Sequence, residues 1–204
     1  MLDARHSGPF TVVSTFCGAG GSSVGYKMAG GRVLLAIEWE QNAVETYGLN
    51  HPDTALLHRD IATVSAAEIL SLTGLKPGEL DILDGSPPCQ GFSTAGKRAV
   101  DDPRNGLFKE YVRLLGELQP KVFVMENVSG LVKGKMKPVF VDIFQALKEC
   151  GYVVSVRLMD AQYYGVPQRR KRVIFIGVRE ELGMVPTHPT PQTLPIPLKR
   201  VIGD

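Results

Sequence analysis

The chain has 204 residues, of which 44% are hydrophobic, enough for one domain with a full core. A formal net charge of +2 excludes tight binding of a polyanion by bulk charge alone, although basic residues cluster in "KGKMK" (133–137) and "RRKR" (169–172). The spacing of three cysteines, Cys17, Cys89 and Cys150, fits neither a disulfide framework nor a zinc site, and no stretch approaches membrane-spanning length, so a soluble, metal-free protein of a reducing, cytoplasmic compartment is expected.

Short apolar runs alternate with amphipathic segments along the chain. "FTVVSTF" (10–16) reads as a buried strand, followed by the Gly-rich "CGAGGSSVG" and a helix to about Gly30. "RVLLAIEWE" (32–40) is a second strand and "QNAVETYGLN" a helix. "TALLHRDI" is a short third strand. "SAAEILSL" is a helix in which Ser65 and Glu68 fit a capping box. "LDILDGS" is a fourth strand, and residues 105–119 carry a helical apolar stripe. "KVFVMENV" is a fifth strand, with "ENV" at its end, and 137–151 is a helix ending at a glycine. "YVVSVRLMD" and "RVIFIGVRE" have no long helix between them, so they are expected to pair antiparallel. Strands alternating with helices predict an α/β fold, a doubly wound, mostly parallel sheet. The tail "VPTHPTPQTLPIP" is proline-rich and irregular.

Ligands bind at the carboxyl ends of the strands in such a sheet. In "DGSPPCQGFSTAG" (84–96), Pro87 and Pro88 fix two φ angles and make a stiff exit from the fourth strand. Cys89 stands at its end, before a loop of small residues. A nucleophile on a stalk and a buried cysteine beside a turn both fit. The Gly-rich turn brings backbone amides to a helix start, although close strand–helix packing also favours glycine there. Glu38 closes the second strand where an acid can accept from ribose hydroxyls, and Trp39 beside it can stack on a flat base. Asp60 and Ile61 follow the third strand. Glu126 ends an apolar run, so partial desolvation suited to proton donation is expected. If "QRRKR" opens the seventh strand, Arg170 and Arg172 share a face.

Taken together, the Gly-rich turn, "EW", "DI", "SPPCQGFS", "ENV" and "QRRKRV" resemble the motifs of the DNA (cytosine-5) methyltransferase family, in order and at similar spacing. The resemblance runs from about residue 11 to 180 and implies the seven-stranded, Rossmann-like, S-adenosylmethionine-dependent methyltransferase fold with its last strand antiparallel. It implies methyl transfer to C5 of cytosine in double-stranded DNA, with base flipping and S-adenosyl-L-homocysteine as product. Cys89 would be the nucleophile and Glu126 would serve ring N3. Arg172 would hold the base O2 and orient Glu126, and Arg170 would sit near the thiol and a phosphate. Phe16, Gly18, Gly20, Glu38, Trp39, Asp60, Ile61, Pro88 and Leu107 would bind the cofactor. Ser93, Lys97 and Arg98 would approach DNA phosphates from a lid. Cys17 and Cys150 read as buried, structural thiols.

By that resemblance, residues 1–180 form the catalytic and cofactor-binding domain, and 181–204 lead toward a target-recognition region absent from the sequence. So are a late motif of the "REAARLQ.FP" type and a C-terminal "GN.V" helix. An uncovered apolar patch near the first strand is expected. A split enzyme completed by a second polypeptide, a truncated chain and a degenerate remnant all fit. So do the tRNA-methylating branch, though "CQGF" leans to DNA, and a non-catalytic regulatory homologue. Action on the nucleoid, if the source is bacterial, in restriction-modification or in epigenetic marking, completes the expectation.

Overall fold

The computed structural model of the chain describes residues 9–88 and 103–203. Seven strands form one sheet in the order β3-β2-β1-β4-β5-β7-β6. They are β1 (Thr11–Thr15), β2 (Arg32–Glu38), β3 (Ala55–His58), β4 (Ile82–Gly85), β5 (Val122–Val128), β6 (Tyr152–Asp160) and β7 (Lys171–Arg179). The first five are mutually parallel. β7 runs antiparallel to both β5 and β6, as the short β6–β7 connection predicts. Helices α1 (Gly21–Met28), α2 (Gln41–Asn50), α3 (Ala66–Thr73), α4 (Pro103–Leu118), α5 (Lys137–Glu149) and the short α6 (Lys199–Ile202) complete the described structure.

Alternation along the strands assigns the two sheet faces. Val13, Leu35, Ile37, Leu83, Phe123, Met125, Val173 and Phe175 point into the main core, where Ile69 of α3, Leu114 of α4 and Ile143 of α5 join them. Burying one such side chain contributes roughly 1.5–3 kcal/mol, so this face carries most of the stability. The opposite face is thinner. Ala36 packs there with Tyr47 of α2 and Cys17, and Ser14 and Asp84 lie beneath Tyr26 of α1. Val122, Val124, Ile174 and Ile176 continue this face as half-buried side chains, while Val24 and Met28 of α1 are exposed.

The "ENV" triplet closes β5, whose antiparallel pairing with β7 extends to Val128↔Arg172. One element differs from expectation. The capping box is half-formed: Ser65 Oγ accepts from Glu68 N at 3.1 Å, but the Glu68 carboxylate takes Arg59 at 2.7 Å instead of reaching back. Among the described residues, no helix is long and apolar enough to cross a membrane, and no group of three or more His, Cys, Asp or Glu side chains could hold a metal ion.

Candidate active site

β1 and β4 are neighbours whose chains leave toward opposite halves of the sheet, so a crevice opens between their carboxyl ends. On the β1 side the chain turns sharply, with φ of 53° at Phe16, 53° at Gly18 and 91° at Gly20. Such values suit glycine and strain Phe16. Gly20 N donates to Cys17 O at 3.0 Å, and α1 then starts with no side-chain cap. Glu38 braces this turn from β2. Its Oε2 accepts from Gly18 N at 2.9 Å, and its Oε1 from Trp39 N at 2.9 Å and Glu40 N at 3.1 Å. Three of roughly four acceptor directions on the carboxylate are taken by backbone, leaving capacity for a further donor.

Trp39 is 69% exposed beside Glu38, a flat apolar face open to a ligand. Asp60 caps the 3-10 turn Ile61–Thr63, its Oδ1 accepting from Ala62 N at 2.9 Å, while Ile61 is buried. Arg113 of α4 fixes this edge by donating to Val64 O at 2.8 Å and Ile61 O at 3.3 Å, itself held by Glu110 at 2.7 Å. Leu107 is half-buried against the main core. Of the cofactor residues expected from the sequence, Phe16, Gly18 and Gly20 form the turn that Glu38 braces, and Pro88 lies across the crevice from them.

The other side is a cleft of about 510 Å³ lined by Pro87, Pro88, Glu126, Asn127, Arg170 and Arg172. Arg172 Nε pairs with Glu126 Oε1 at 2.7 Å, with side chains 27% and 36% exposed. Glu126 is thus a partly exposed carboxylate whose partner is Arg172. Arg170 precedes β7, where its amide donates to Asp160 Oδ1 at 3.2 Å. Cys89, Ser93, Lys97 and Arg98 lie outside the described residues. The stalk leading to Cys89 is described. Asn127 Nδ2 donates to Pro87 O at 3.0 Å, and its Oδ1 accepts from Val128 N at 2.9 Å. Ser86 Oγ donates to Phe16 O at 3.3 Å, joining the stalk to the Gly-rich turn.

A family model for C-5 cytosine-specific DNA methylase matches residues 10–204. The chain belongs to this family. It is 40% identical over 178 residues to the type II methyltransferase M.AgeI of Thalassovita gelatinovora, covering 87% of this chain and 42% of that relative. It is 40% identical to M.AquIA of Picosynechococcus sp., covering 82% of this chain and 71% of the relative. Among solved structures, Spodoptera frugiperda DNMT2 superposes with a TM-score of 0.74 at 27% identity, covering 96% of this chain and 60% of that one. The chain spans 42–48% of the length of M.AgeI, M.XorII and M1.HphI.

Within this methylase frame, several side chains at the site carry no obvious sequence signal. Asp84 is almost fully buried, accepting from Ser14 Oγ at 2.8 Å and Tyr26 OH at 3.0 Å. Burial pushes its carboxyl up to about 6, the Ser14 and Tyr26 hydroxyls hold it down, and the charge of Glu126 raises it further. Cys17 has its thiol pushed up to about 12, first by burial and then by the charge of Glu38. Burial, with the charge of Glu149, also raises Cys150. Neither thiol supplies appreciable thiolate near neutral pH. Asn127 sits within a triplet that draws attention to its acid, and nothing local announces its reach to Pro87.

Proposed function

We propose that this chain is the cofactor-binding and catalytic part of a DNA cytosine-5 methyltransferase. It moves a methyl group from S-adenosylmethionine to C5 of a cytosine in duplex DNA. The observation that carries this reading is the Glu126–Arg172 ion pair at 2.7 Å, in one cleft with the Pro87–Pro88 stalk and beside the Gly-rich turn. C5 of cytosine is a poor nucleophile. Addition of the Cys89 thiolate to C6 forms a C–S bond and moves the ring electrons toward C5 and N3, a case of covalent catalysis. Glu126 serves N3, by hydrogen bond or proton, and Arg172 holds that carboxyl while reaching the base O2. The activated C5 would take the methyl as its bond to the sulfonium sulfur breaks, the electron pair staying on sulfur in S-adenosylhomocysteine. The C5 proton then leaves to a weak base, and Cys89 departs as thiolate, restoring the ring. A base within the stack exposes neither C6 nor N3 suitably, so the target nucleotide flips out.

The residues fit the cofactor, whose chemical contribution is an electrophilic methyl on a sulfonium. The uncapped start of α1 presents backbone amides, Glu38 keeps acceptor capacity and Trp39 offers an open indole. Phe16, Gly18, Gly20, Glu38, Trp39, Asp60, Ile61, Pro88 and Leu107 would hold it. Target choice is assigned to the part of the relatives' length that this chain does not span, supplied in the same protein or by a second polypeptide. The half-buried side chains of Val122, Val124, Ile174 and Ile176 give such a part an apolar face to cover.

Duplex DNA carrying 5-fluorocytosine, mixed with S-adenosylmethionine and the chain together with the part that carries target choice (the complemented protein), tests the chemistry, because fluorine blocks the final elimination. A covalent adduct mapping to Cys89 is expected. An adduct on Cys17 or Cys150, or trapping by tRNA but not by DNA, would overturn the reading.

A further inference from the structure

The Gly-rich turn is held from beneath by the end of a helix more than thirty residues further along the chain. Asn50, the last residue of α2, donates from Nδ2 to Ala19 O at 3.0 Å. His51, the next residue, lies 3.0 Å from Gly20 O through Nε2. A carbonyl only accepts, so Nε2 must carry the proton. His51 is 2% exposed, its ring tilted against that of Tyr47 with centroids 4.6 Å apart. Tyr47 is fully buried, and its hydroxyl meets Ser23 Oγ of α1 at 2.9 Å. The fit is close: a Cβ on Gly20 would stand 2.3 Å from His51 Nε2. Gly20 therefore needs to be glycine both for its φ of 91° and for the imidazole beneath it.

We infer that Asn50 and His51 are positioning residues for cofactor binding: His51 holds the Gly20 carbonyl toward α2 and so aims the Gly21 amide at the ligand, while Asn50 anchors the preceding carbonyl, Ala19 O, of a turn whose Gly20 amide is already held by Cys17 O. The inference rests on the cofactor reading given above. In a trans peptide the N–H points opposite to the C=O. Fixing Gly20 O between His51 Nε2 and Val24 N, which donates at 3.0 Å, therefore fixes the direction of Gly21 N–H. That amide opens α1, which has no side-chain cap to compete for it. Without the clamp the turn must be ordered by the ligand itself, and the ordering is subtracted from affinity.

The test compares S-adenosylmethionine and S-adenosylhomocysteine affinity by calorimetry for the complemented protein and its Asn50→Ala, His51→Leu and His51→Gln forms. Amide exchange of residues 18–24 is followed in the free chain alongside. Asn50 is exposed, so Asn50→Ala should fold, lower the melting temperature by no more than about 2–4 °C, and weaken both ligands roughly threefold to tenfold, the effect of one lost hydrogen bond. His51→Leu should weaken them further, and His51→Gln, whose amide nitrogen can occupy the place of Nε2, should recover most of the loss. If His51→Leu does not fold, Asn50→Ala and His51→Gln decide. Unchanged affinity and unchanged turn exchange in Asn50→Ala would overturn the inference. A wild-type protein that binds neither ligand would instead refute the cofactor reading. Exchange of the turn amides then decides the clamp alone, with faster exchange in Asn50→Ala supporting it and identical exchange sinking it.

Discussion

Replacing Asp84 by asparagine should stabilise the protein at alkaline pH and leave it unimproved in acid. The carboxyl is pushed from 3.8 up to about 6, chiefly by burial. A shift of about two units corresponds to roughly 3 kcal/mol between the two protonation states. The folded value lies above the unfolded one, so the folded state favours the protonated acid. The contribution to stability is complete below pH 3.8, fades as pH rises from there to about 6, and is gone above it. The amide side chain of the variant would carry no charge at any pH. Ser14 and Tyr26 both donate to the carboxylate. One hydroxyl would have to turn and accept from the new amide, which both can do. Allowing about 1 kcal/mol for that adjustment, the variant should gain about 2 kcal/mol at pH 8, or about 4–8 °C in melting temperature for a chain of this size. Lys27 holds Asp53 low, and at Asp81 burial is outweighed by Lys121 and Thr11. Both act in the opposite sense but are common to the two proteins, so they cancel in the difference. Thermal melts of both proteins from pH 4 to pH 8 are the assay. Parallel curves, or a variant less stable than wild type at pH 8, would refute the reasoning.

The remaining expectations concern the cleft. Glu126→Gln and Arg172→Ala should each slow methyl transfer by about a hundredfold to a thousandfold in single-turnover assays, comparable to removing one preorganised donor, with DNA affinity changed far less. Equal losses in rate and affinity would mark them as binding residues. Asn127→Ala removes the donor to Pro87 O from a buried site. It should cost about 1–3 kcal/mol in urea unfolding and also lower the trapping rate with 5-fluorocytosine. Normal trapping by a destabilised variant would show that Asn127 only supports the fold.

The strands were legible because each is a short apolar run closed by glycine, proline or an acid. The Gly-rich turn, Glu38, Trp39, Asp60 and the basic run at 168–172 fall at strand ends where a ligand belongs. What the local pattern around Glu126 did not show was its ion-pair partner. The end of β5 is set by its pairing with β7, some fifty residues later, and the same pairing brings Arg172 to the carboxylate. Asp84 was equally hidden. Its partners are 58 and 70 residues away, and by local pattern it reads as punctuation at the close of an apolar run. His51 followed a helix as an unremarked polar residue, and only the folded chain sets its imidazole under Gly20. Local pattern reports where a strand stops. It does not report which side chain of another element will be waiting there.

The parallel ladder between β1 and β4, in which Thr15 stands opposite Gly85, makes the geometry of transfer a discrete quantity. On the proposed reading one strand delivers the turn for the methyl donor and the other the stalk, and the two strands are a single strand spacing apart, roughly 4.8 Å. A slip of one residue would shift one platform by roughly 3.3 Å and turn its side chains to the wrong face. Thr15 Oγ1 and the Tyr111 ring crowd Gly85 so closely that a Cβ there would lie 2.5 Å from the hydroxyl, which resists such a slip. Small adjustments are thereby excluded, and the two reacting partners are either in register or apart. If the proposed function holds, substitutions in loops at the rim can alter which DNA is held without altering how far the methyl has to travel.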